Sequence, residues 1–152
     1  MLVALLQMGA AGTVSVGASA QSHLNYPPGA PPAILSECND CHLIYPAQML
    51  PQRSWQAILA DLANHFGDDA TVSNDKRTAI LAYYSANATD GPSTTGRGKL
   101  FISGLPDSVT PLRITAMPWW NQMHADYDFG GGKHIDMKTA SNCLACHSSD
   151  AQ

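Results

Sequence analysis

All four cysteines of the chain fall in two short runs, CNDCH at residues 38–42 and CLACH at residues 143–147. Each run sets two thiols one helical turn apart, with a histidine directly after the second. That spacing lets Cys38 and Cys41, or Cys143 and Cys146, form thioethers to the two vinyl groups along one porphyrin edge. The adjacent His42 or His147 then meets the iron from one face, which is the attachment pattern of c-type haem. Two copies imply two covalently bound haems.

Other chemistries explain the same residues less well. A four-cysteine zinc site has ligand pairs commonly about 15 to 20 residues apart and gives no reason for a histidine after both pairs. A thioredoxin-like redox centre needs its Cys-x-x-Cys at a helix start inside a βαβ unit, whereas Cys146 has almost no chain after it. Two structural disulfides suit an exported protein but leave the paired histidines without a role.

The opposite face of each iron needs a further ligand, and four histidines remain: His23, His65, His124 and His134. His65 follows Ile58 by seven residues and Leu62 by three, which predicts an imidazole at the border of an apolar helix face. His124 follows Met117 by seven residues and Trp120 by four, again on an inward stripe. His23 lies in a proline-rich stretch and His134 follows three glycines, so both are expected to be solvated. Methionine is the rival ligand: Met117 in AMPWW is its first candidate, Met49 and Met123 are weaker ones, and plain core packing is the competing role for each. Sequence proximity pairs His65 with the first haem and His124 with the second.

These side chains have to be positioned by short elements. Residues 1–20 carry no charge, run apolar from Leu2 to Val16 and end in Ala18-Ser19-Ala20, the pattern of a cleavable export signal, although the basic start of such signals is missing. The run is too short and too interrupted to span a bilayer. Residues 21–34 form a Pro/Gly-rich lead-in to a domain over 35–152, read as a first haem lobe at about 35–90 and a second at about 97–152. Helices are predicted at AILSECNDCH, from Pro51 through Phe66 on the arc of Trp55, Ile58, Leu59, Leu62 and Phe66, and from Ser73 as N-cap with Ile80, Leu81 and Tyr84 inward. TDGPSTTGRG is a loop, residues 99–113 offer at most a short strand broken by Gly104 and Pro106, and helical spacing resumes after Pro118 and again at MKTASNCLACH. The fold class is therefore mostly α, small and loop-rich. Charged residues make up only 13% of the chain, with a net charge of −4 and no basic cluster, which sets nucleic-acid binding aside.

With these residues in place the sequence resembles the small dihaem cytochromes c of the bacterial periplasm, the DHC family. The stretches that carry the resemblance are ECNDCHLIYPAQMLPQRSWQAILADLANHFGDDATVS, YYSANA, RITAMPWW with a histidine four residues on, and ASNCLACH. The family's haems are held by two histidines each, so the resemblance implies His65 and His124 as the distal ligands, and an electron carrier rather than an enzyme. It also implies redox partners such as a high-spin monohaem cytochrome or a membrane cytochrome b. A haem enzyme of peroxidase or reductase type, with one axial position open, and a metal-binding or disulfide-stapled module are the alternative functions.

Overall fold

The computed structural model describes residues 29–126 together with Cys143 and His147. The chain there is mostly helical, in short pieces. Helix α1 spans Pro32–Cys38, α2 Gln52–Ala60, α3 Asn74–Asn87 and α4 Pro118–Met123, with 3₁₀ turns at Ala47–Met49, Leu62–Asn64, Gly96–Ile102 and Ile114–Ala116. Among the described residues there is no strand, and an isolated bridge pairs His65 with Asp68. No helix among them is long and apolar enough to cross a membrane.

Proline starts two of these helices where its missing N–H and fixed φ cost nothing, at Pro32 in α1 and Pro118 in α4. The periodic residues of α2 and α3 then meet in the core. Trp55 and Leu59 of α2 pack against Ile80 and Tyr84 of α3, with Ile34 from α1, Leu50, Met117 and Trp120 closing the cluster. The Trp55 and Tyr84 rings lie 4.2 Å apart, and the buried Trp55 indole donates to the Ala47 carbonyl at 2.7 Å. That bond lets a polar ring edge sit in an apolar core.

Distant residues finish the helix ends. Pro51, before α2, has no side-chain acceptor, so Asp90 serves instead, taking the Gln52 N–H at 2.7 Å. After α3, the Thr94 hydroxyl lies 2.9 and 2.6 Å from the Asn87 and Ala88 carbonyls. Arg53 of α2 reaches across to the Val109 and Pro106 carbonyls at 2.8 and 3.2 Å, fastening that loop to α2.

Two expectations need correction. The helix predicted from Pro51 through Phe66 stops at Ala60, because Asp61 takes a non-helical conformation (φ −131°, ψ 60°) and the Leu62 carbonyl accepts from Ala70. Asp61, Asn64 and Asp68 are residues whose side chains favour turns over helix. Phe66 therefore leaves the apolar arc and is 46% exposed. The strand considered within 99–113 is absent: Gly96–Ile102 is a 3₁₀ turn, Gly104 has a φ of 78°, and Val109 N–H closes back on Pro106. Pro106 and Pro111 cannot donate to a ladder, and among the described residues no neighbouring strand is there to receive one. The helix expected at MKTASNCLACH and the lead-in before residue 29 lie outside the described residues, apart from Cys143 and His147.

Candidate haem-binding site

The first site grows from α1. Ile34 is fully buried and anchors that helix, so its last residue, Cys38, emerges half-buried at the core's edge, and Cys41 and His42 follow on the exposed turn. Burial, and then the Glu37 charge, pushes the Cys38 thiol up, keeping it protonated before any thioether forms. The His42 ring is set from two sides. Its Nδ1 meets the Leu43 carbonyl at 2.7 Å, and its face stacks on Tyr45 at 5.2 Å. A nitrogen facing a carbonyl oxygen carries the proton, which leaves Nε2 as the free lone pair for a metal.

His65 lies beside this ring, its centroid 6.1 Å from that of His42 and the two planes 26° apart. It sits on a tight two-residue turn, since His65 and Asp68 exchange backbone hydrogen bonds of 2.8 and 3.2 Å around Phe66 and Gly67. Both central residues have positive φ, 56° and 107°, the pattern of a type I′ turn. Burial, and then the neighbouring His42, holds the His65 imidazole below its ordinary value, with Asp68 opposing. The neutral ring this favours is the form a metal takes.

The second site is built the same way from different elements. His124 closes α4, its Nδ1 2.8 Å from the Trp120 carbonyl and its ring stacked on Trp120 at 4.4 Å and 18°. His147 lies opposite at 6.2 Å, with the planes 79° apart, and its N–H bonds the Cys143 carbonyl at 2.8 Å, one helical turn back. Burial pushes the Cys143 thiol up. Tyr45 lies near both sites: its ring stacks on His42, and its hydroxyl is pushed up by burial and then by Cys143.

Two imidazoles held trans on one metal, with bonds of about 2.0 Å, have ring centres about 6.3 Å apart. Both pairs meet that separation, so the residues present fit a haem iron between each. His42 and His65 are brought together, as are His124 and His147. Met117 is 0% exposed, packed in the core at the start of α4, and Met123 is 70% exposed. Cys146, His23 and His134 lie outside the described residues. What sequence reasoning missed is the means by which His65 is presented: a hairpin turn, not a helix face. The signal was Phe66-Gly67 followed by two aspartates.

A strand-poor helical scaffold carrying two facing histidine pairs, each next to a Cys-x-x-Cys-His run, defines a c-type cytochrome with two haems. The family model for dihaem cytochrome c matches residues 34–152, and the chain belongs to that family. Among solved structures it is similar to a diheme cytochrome c from Rhodobacter sphaeroides, at 40% identity and a TM-score of 0.67 over 85% of this chain and 96% of that one. A second structure, of DHC purified from Rhodobacter sphaeroides, matches at 38% identity and 0.60 over 80% and 93%. A diheme cytochrome type c from Shewanella baltica matches at 26% identity and 0.54 over 76% and 78%. No curated protein matches the chain. Membership of the family carries with it two covalently attached haem c groups and a role in electron transfer.

Proposed function

We propose that the protein is an exported, periplasmic electron carrier in which both haems are ligated by two histidines, His42 with His65 and His124 with His147. Cys38, Cys41, Cys143 and Cys146 provide the thioethers. The observation that carries this reading is the matched spacing of the two imidazole pairs, 6.1 and 6.2 Å. Each haem, when bound, supplies one-electron exchange between ferric and ferrous iron. The chain's own residues would hold it, one histidine pair to each haem. Hydrogen bonds from Nδ1 of His42 and His124 to carbonyls fix two of the rings and strengthen them as donors, which favours the oxidised iron and a low potential. With two histidines holding each haem, neither iron would keep a position open for a substrate, which suits an electron carrier. Export is supported by the apolar leader and its Ala-x-Ala ending, and by attachment chemistry that requires free thiols outside the cytosol. Redox partners of the kinds the resemblance implies, a high-spin monohaem cytochrome or a membrane cytochrome b, fit a carrier of this type.

The test is ligand removal in the holoprotein. His65→Ala and His124→Ala should each leave the mass of two attached haems unchanged and convert half of the ferric iron, one haem of two, from low to high spin. A variant that remains wholly low-spin would remove that histidine from the ligand set. A high-spin haem in the wild type would point to the enzyme with an open axial position.

A further inference from the structure

The turn that presents His65 contains a residue that does not suit it. A type I′ turn requires positive φ at both central positions, which glycine tolerates and an aromatic side chain does not. Phe66 nevertheless stands at φ 56° in front of Gly67. A left-handed conformation costs a non-glycine residue about 1–2 kcal/mol. Core burial does not repay that cost, because the side chain is 46% exposed. Two contacts account for its position. The Phe66 ring packs edge-on against the His65 imidazole, with centroids 4.9 Å apart at 64°, and the Arg113 guanidinium lies over the ring at 4.3 Å from its centre. Arg113 is itself placed by buried neighbours in sequence, Pro111 before it and Met117 after the 3₁₀ turn Ile114–Ala116. That segment runs on into α4 and His124.

We propose that Phe66 and Arg113 form a positioning pair for His65: the cation holds the aromatic ring against the imidazole and keeps it aimed at His42. The segment that carries the second site's distal histidine thereby also restrains the first site's. The inference rests on the two-histidine reading of the first site. Neither residue touches the metal. They act by limiting how far the His65 turn can swing away, and so how readily an outside ligand takes its place.

The two sites differ in a way that makes each readable in one sample. Imidazole planes 26° apart give a rhombic low-spin ferric resonance, and planes 79° apart give a resonance dominated by one large g value. In oxidised holoprotein, Arg113→Gln should shift or broaden the rhombic signal only and raise cyanide affinity at that haem about threefold to fivefold, what an exposed cation–π contact is worth. The second signal is the internal reference. Arg113→Lys, which keeps the cation, should restore wild-type affinity. Phe66→Leu should match Arg113→Gln, and the double variant should exceed neither. Unchanged cyanide affinity in Arg113→Gln, equal change at both haems, or no rescue by lysine would overturn the pairing. A wild-type spectrum lacking two low-spin signals would overturn the two-histidine reading beneath it, which keeps the two failures distinct.

Discussion

At the scale of single residues, ligation turns on which side chains the local backbone leaves free. Met117 illustrates the point, since its thioether is the obvious competitor for an iron and would raise that haem's potential. It is instead fully buried among Ile34, Trp120 and their neighbours, where methionine serves as an adaptable filler. Met117→Leu should therefore keep both haems six-coordinate and cost less than about 1.5 kcal/mol, the range for volume-conserving core exchanges. Ferric spectra and thermal unfolding check it. A near-infrared methionine-to-iron charge-transfer band in the wild type that disappears in the variant would return Met117 to the ligand set. His124 contrasts with it: a half-buried side chain at the end of α4, its Nδ1 2.8 Å from the Trp120 carbonyl and its ring beside that of His147.

At the scale of elements, the seven-residue α1 is too short to persist alone and depends on what it docks against. Ile34 anchors it from within, and Lys76 of α3 meets Glu37 beside the first cysteine at 2.6 Å. The hydrogen bond from Lys76, with a second from Ser36, holds the Glu37 carboxyl below its ordinary value of 4.5. A lowered carboxylate stabilises the fold fully above that ordinary value and loses its contribution as pH falls through the lowered one. Glu37→Gln should therefore flatten the acid side of the stability–pH curve below about pH 4.5. Thermal midpoints between neutral pH and pH 3 measure this, and identical acid limbs in both proteins would show that the bridge adds nothing.

At the scale of the whole molecule, the two sites use separate elements around a shared core. The first is framed by α1, the turn after α2 and the packing of α2 on α3. The second is framed by α4 and the segment holding Cys143 and His147. Removing the second attachment should then leave the first. Cys143→Ala with Cys146→Ala should mature with one covalent haem, still low-spin, as mass and ferric spectra would report. Loss of both haems would mean that the sites form only together. Beside the shared core, Arg53, tied to the Val109 and Pro106 carbonyls, and Arg113, over Phe66, are links through which the first site would feel such a loss.

The sequence by itself determined the attachment chemistry, because thioether formation and the proximal ligand need only five consecutive residues, and CNDCH and CLACH contain them. It also marked the arcs of α2 and α3, since 3.6-residue periodicity is a local property, and it proposed His65 and His124 from the four histidines outside the two motifs. Its account of His65 was nevertheless incomplete. The helix it extended to Phe66 is ended by Asp61 and replaced by a turn whose positive φ at Phe66 no propensity favours, a conformation held by contacts from Arg113, 47 residues further on. Only the tertiary structure decided which histidine faces which, at 6.1 and 6.2 Å, and at what angles. Those quantities depend on where distant segments pack, through the Asp90 cap on α2, the Lys76 bridge to α1 and the burial of Met117, and short-range sequence pattern carries no record of such contacts.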